Sequence, residues 1–143
     1  MRLGKWHRRL VLAALIAVAS SGVLWFVLHD VMEREPGELL RALLVVHGVA
    51  SFASAIAFGS LLAMHVLVGY RQRRNLVSGL TLLFAMTLLI ASALFLYYGG
   101  EESRADARLV HLAVGFAAVI VVPLHMVLGR RKSRQDRTSP SGK

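Results

Sequence analysis

The chain has 143 residues, 56% of them hydrophobic, with a mean hydropathy of +0.59 and no cysteine. A soluble domain of this composition would leave large apolar surfaces wet, and without thiols there is no disulfide, thiolate metal site or thiol nucleophile. A formal charge of +9 could suit nucleic acid, but the cations are sorted by segment in the way that orients a membrane protein, so the expected partner is lipid and no nucleic acid.

A basic N-terminal segment, residues 1–9 with Arg2, Lys5, Arg8 and Arg9, leads into a first apolar run at Leu10–Leu28. Ala17-Val18-Ala19 has the small-x-small pattern of a leader cleavage site, yet hydrophobicity continues to Leu28, so the run reads as a retained membrane helix. An acidic loop follows with Asp30, Glu33, Glu35 and Glu38, then a second run, Leu39–Gly69, carrying His47 and His65. Arg71, Arg73 and Arg74 form a basic loop before the third run, Leu76–Tyr98. Glu101, Glu102 and Asp106 make the next loop acidic, and the fourth run, Leu109–Gly129, carries His111 and His125.

A hydrocarbon core of about 30 Å needs about 20 helical residues to cross it, so four crossings fit. The predicted fold is all-α, an integral-membrane four-helix up-and-down bundle over residues 10–129. Basic termini and middle loop belong on the cytoplasmic side and the two acidic loops outside, which places a multi-pass protein in the cell (inner) membrane with both ends cytoplasmic. The tail, residues 130–143, is polar and basic without an apolar face and is expected to be disordered. Trp6, Trp25, Tyr97 and Tyr98 read as interfacial anchors. Val23–Asp30 resembles Ala93–Gly100, and each is followed by an acidic loop and a two-histidine helix, so the chain reads as two variants of one hairpin.

Histidines inside apolar helices are expensive and persist mainly where they do a job; the most economical job here is to hold iron. His47 and His65 are eighteen residues apart, five helical turns, and share a face; His111 and His125, fourteen apart, align within about 40°. The second and fourth helices run the same way in this topology. His65 is therefore expected near the level of His125 on the inner side and His47 near His111 on the outer side. Each histidine is followed four positions later by a small residue, Ser51, Gly69, Gly115 or Gly129, which leaves room on that face for a flat macrocycle; close helix packing uses small residues in the same way. Arg41 and Arg108 precede His47 and His111 and are candidates for outer propionate contacts or for lipid phosphate. His7 and His29, at the edges of the first helix, are set aside as ligands, with His29 the reserve for an outer haem.

Across residues 10–131 the segments HGVASFASAIAFGSLLAMHVLVGYRQRR and HLAVGFAAVIVVPLHMVLGRR resemble the four-helix membrane b-type cytochromes, the group that includes cytochrome b561-like proteins and cytochrome b subunits of bacterial respiratory oxidoreductases. The resemblance implies two haem b groups, with His47 and His111 as axial ligands of the outer iron and His65 and His125 of the inner one. One spacing departs from that pattern. Eighteen residues against fourteen is about 27 Å against about 21 Å, leaving one level mismatched by about 6 Å unless tilt or a π-bulge near Gly59 absorbs it. A single haem on His65 and His125 is the variant this permits.

The expected function is a transmembrane di-haem electron carrier working with quinol or a peripheral redox protein, without catalytic residues of its own. Alternatives are a single-haem anchor subunit of a larger oxidoreductase, or a histidine-lined metal or proton transporter. No span contains an internal Asp or Glu, which a transporter would more usually need, and Pro123, two residues before His125, is expected to bend the fourth helix.

Overall fold

The computed structural model describes residues 4–62 and 76–138, with side chains as far as 127. Four helices are long and apolar enough to cross a membrane. Helix α1 covers Lys5–Phe26 and continues as a π-helical turn, Val27–Val31; α2 covers Glu38–Leu61, α3 Leu76–Tyr98 and α4 Glu101–Thr138. The protein is all-α, with no β-strand among the described residues. It divides into two compact units, Met1–Leu67 and Val68–Lys143. In the first, α1 packs on α2; in the second, α3 packs on α4. Each unit is an up-and-down hairpin.

The hairpins close where their sequences dictate. Pro36 and Gly37 break the chain after the first crossing, and α2 starts at once with Glu38 in its first turn, where a carboxylate favours the positive helix end. Glu33, at φ 50°, makes the reversal as the one non-glycine residue with positive φ among those described. Gly99 and Gly100 separate α3 from α4, which opens with Glu101 and Glu102. The Ser103 hydroxyl donates back to the Gly100 carbonyl at 3.0 Å in this first turn.

Within each hairpin the contact is built from small and polar residues. Buried positions are Ser21, Leu40, Ala50, Ser54, Ser92, Ala107 and Ala118, whereas Phe52, Ile56, Val77, Phe84 and Ile120 are exposed. This reverses the soluble pattern, as lipid demands: large apolar side chains gain nothing by leaving hydrocarbon, while Ala and Ser let two backbones approach closely. Cross-helix hydrogen bonds join Ser21 to His47, His7 to Ser60, Ser92 to His111 and Ser78 to His125. They set an antiparallel register in which bonded positions recur every fourteen residues, thirteen between His47 and Ser60. Midway between them fall Ala14, Ser54, Ala85 and Ala118. A seven-residue recurrence is 3.5 per turn, the repeat that keeps one seam facing its partner.

Two element boundaries differ from those expected. The fourth helix starts at Glu101 instead of near Leu109 and runs through Thr138, across most of the tail expected to be disordered. Arg130, Arg131, Lys132, Arg134, Gln135 and Arg137 are good helix formers, and the first strong stop is Pro140. Pro123 lies inside this helix without ending it. The first helix starts at Lys5, not Leu10, and its outer end widens into the π turn, where the amide of Met32 donates to the Val27 carbonyl five residues back at 2.9 Å. The part of the second run beyond Leu62, including His65 and Gly69, lies outside the described residues.

Orientation follows from the charge distribution, not from the helices. The chain lacks native cysteine, so a single Glu35→Cys or Ser133→Cys variant reports one position each. In intact cells a membrane-impermeant maleimide is expected to label Glu35→Cys and to reach Ser133→Cys only after permeabilisation.

Candidate functional site

Three of the four histidines proposed from sequence fall among the described side chains, and all three lean on the other helix of their own hairpin. His47, half-buried on α2, donates Nδ1–H to the Val18 carbonyl of α1 at 2.9 Å and shares it with Ser21 Oγ at 3.3 Å. The Ser21 hydroxyl itself donates to the Ala17 carbonyl at 2.6 Å. A carbonyl can only accept, so this contact defines the tautomer: the proton is on Nδ1 and the lone pair on Nε2.

The second hairpin repeats the arrangement with a hydroxyl in place of the carbonyl. His111 Nδ1 lies 2.9 Å from Ser92 Oγ. The Ser92 hydroxyl hydrogen has an acceptor one turn back, the Leu89 carbonyl at 3.1 Å, which leaves Oγ to accept from Nδ1–H. His125 Nδ1 meets Ser78 Oγ at 3.1 Å. Both imidazoles therefore use the same ring nitrogen on serines fourteen residues apart on one helix. By the rise of an α-helix the two contacts are separated by about 21 Å.

Close approach makes the first of these contacts possible. A Cβ added at Gly22 would lie 2.8 Å from His47 Cε1 and 3.1 Å from its Nδ1. Any side chain at this position would push on the ring, which glycine leaves in place against the α1 backbone.

The remaining candidates divide. Ser51 spends its hydroxyl on the His47 carbonyl at 2.7 Å. At Gly115 a Cβ would meet Leu89 Cδ2 at 3.8 Å, an ordinary packing distance to the neighbouring helix. Both make these contacts within their own hairpin. Gly129 lies on α4. Arg41 and Arg108 are exposed near the loop ends of α2 and α4, where either a propionate or a lipid phosphate can reach them.

The two edge histidines are more engaged than their positions suggest. His29, in the π turn, stacks on Trp25 with ring centroids 4.4 Å apart and planes within 13°, and its Nδ1 is 3.0 Å from Asp30 Oδ1. Trp25 is thus a packing partner for His29, whereas Trp6, Tyr97 and Tyr98 are exposed as interfacial anchors would be. His7 reaches across to α2, where its Nε2 lies 3.1 Å from Ser60 Oγ.

Sequence reasoning passes over Val18, Ser21, Gly22, Ser60, Ser78 and Ser92. One signal could have found two of them: Ser78 and Ser92 repeat the fourteen-residue spacing of His111 and His125 on the preceding helix.

Among the described residues no group of three or more His, Asp or Glu side chains is placed to hold a metal ion by itself. Single imidazoles held through Nδ1, as His47, His111 and His125 are, form a different donor set. A neutral imidazole whose other N–H is anchored is a general nitrogen donor for a transition metal. Comparison with protein-family models, with curated proteins and with solved structures found no match. The architecture agrees with that of the four-helix membrane cytochromes in helix number, span length and up-and-down order.

Proposed function

We propose that this membrane protein is a di-haem b cytochrome that passes electrons across the bilayer, its irons held by histidine imidazoles. The observation that supports the reading is the common engagement of Nδ1 by His47, His111 and His125; Nε2 is the proposed ligating nitrogen at each. Haem b, held by these imidazoles, would supply a one-electron ferric/ferrous couple suited to outer-sphere transfer. The chain's own part is to hold the imidazoles, keep water away with apolar helices and set their donor strength through the Nδ1 contacts. Quinol or a peripheral redox protein is the expected exchange partner.

His47 and His111 are the proposed ligands of the outer iron and His125 one ligand of the inner iron. For its partner the sequence spacing offers His65, about 27 Å along α2 from His47. The register of the first hairpin offers His7. It sits opposite Ser60, thirteen residues or about 20 Å from the level of His47, close to the roughly 21 Å that separates His111 from His125. We favour His7, because the mismatch of about 6 Å then falls to about 1.5 Å. Ligation through Nε2 exchanges the Ser60 contact for the metal, and Ser60 keeps its own acceptor, the Ala57 carbonyl at 2.6 Å.

Haem content and reduced-minus-oxidised spectra of His7→Ala and His65→Ala test this choice. His7→Ala is expected to lose about half the b-type absorbance and His65→Ala to retain it; the reverse pattern returns the inner site to His65. Absence of haem from the unmodified protein after haem-replete expression would remove the cytochrome reading and favour a histidine-lined transporter.

A further inference from the structure

His47, His111 and His125 are held in two chemically different ways, and the difference is built into the helices facing them. His47 is anchored on a main-chain carbonyl, Val18 O, with Ser21 Oγ as the longer of two contacts. His111 and His125 are anchored on side-chain hydroxyls, Ser92 and Ser78. Ser92 is buried in the α3–α4 contact, and its hydroxyl continues as a donor to Leu89 O. The sequence His111 Nδ1–H, Ser92 Oγ–H, Leu89 O is therefore a short directed chain of hydrogen bonds in a low-dielectric environment, where each bond polarises the next.

We propose that Ser92 and Ser78 are positioning residues that set the donor strength of His111 and His125, and thereby tune the two irons separately. This rests on the haem reading above. An acceptor on Nδ1–H pushes electron density toward Nε2 and makes the imidazole a stronger donor, which favours the ferric state; the outer contacts of metal-bound histidines act in this way on the metal they support. Removing the acceptor weakens the donor and raises the reduction potential of the iron concerned. It also leaves a polar N–H unsatisfied between two helices, so some loosening of the ring accompanies it.

Position in the fold gives the proposal its internal control. Ser21 holds the corresponding place opposite His47, but there the Val18 carbonyl is nearer and belongs to the backbone, so no side-chain substitution removes it. The serine contact is decisive on α3 and redundant on α1.

The test is a redox titration of the purified full-length protein, followed at the visible bands of each haem component, for Ser92→Ala, Ser78→Ala and Ser21→Ala with their Ser→Thr counterparts. Ser92→Ala is expected to move one component upward and Ser78→Ala the other, each with haem retained, while Ser21→Ala leaves both near their native values. The threonine variants, which keep the hydroxyl, are expected to restore the native potential. A serine that only packed would alter haem content or thermal stability without moving one component selectively. The proposal is overturned if Ser92→Ala and Ser78→Ala keep native potentials, or if Ser21→Ala shifts as far as they do. Should Ser92→Ala lose its haem, Ser78→Ala at its half-exposed site decides. A native protein that binds no haem overturns this proposal together with the cytochrome reading, whereas native haem with unshifted variants overturns this proposal alone.

Discussion

Protein purified in detergent from haem-replete cells is expected to carry about two b-type haems per chain, falling to about one in His111→Ala and in His125→Ala. Each substitution removes a whole axial ligand. The Nδ1 partner left behind, Ser92 or Ser78, is a hydroxyl that cannot replace a nitrogen donor. The fourteen-residue separation places the two losses at different levels of the helix, so the effects should be independent and the double variant should hold essentially none. Low-spin, six-coordinate spectra in both oxidation states would mark the remaining haem as still bis-histidine. Full haem retention in both single variants would exclude α4 as the source of ligands. The measurement is absorbance of the pyridine haemochrome per mole of protein.

Gly22→Leu is expected to cost the haem held by His47 while sparing the other. At this position even a methyl carbon would sit 2.8 Å from His47 Cε1, inside contact distance, and a leucine side chain must occupy the space of the ring. Either the imidazole leaves its place against Val18 and Ser21 or α1 moves away from α2. Overpacking of this kind typically costs about 1–3 kcal/mol, so a lower Tm should accompany a loss of about half the haem. Gly22→Ala is the milder form, with the ring displaced by a fraction of an ångström and haem affinity reduced. A Cβ added at Gly59, on the same hairpin, would meet nothing within 4 Å; Gly59→Ala is expected to retain both haems and to stabilise α2 slightly through helix propensity. If Gly22→Leu keeps its full haem complement, His47 is not held as the hairpin geometry implies.

Helical periodicity and hairpin register point to different second histidines in the first hairpin. His47 and His65 share a face by spacing, and that spacing makes His65 the natural second candidate of the first hairpin. A level along the membrane normal, however, is defined by which residues of two helices lie opposite each other. His7 belongs to the start of the chain, far from His47 in sequence, and reaches its level only because α1 folds back along α2 with Ser60 opposite His7 and His47 opposite Ser21. No distance counted along one helix contains that information.

By itself the sequence determined the fold class, the number of crossings and the identity of three histidines that the structure places in helix contacts. These depend on bulk properties: apolar run length against hydrocarbon thickness, and the cost of imidazole in hydrocarbon. The third helix, Leu76–Tyr98, lies where its hydropathy placed it, because Gly99 and Gly100 end it as sharply as they end the apolar run. The fourth extends beyond its run in both directions, since polar helix formers continue a helix without adding hydropathy. What only the tertiary structure decided is the facing of the helices. Leu, Val and Ala look alike whether they meet lipid or protein, so hydrophobicity does not distinguish the seam from the outside. Close approach does. It buried Ser21, Ser54 and Ser92 while leaving Phe52, Ile56 and Val77 on the surface, and it set Val18, Ser21, Ser92 and Ser78 against the imidazoles, because only small residues let two helices come near enough for a ring on one to reach the backbone or a hydroxyl of the other.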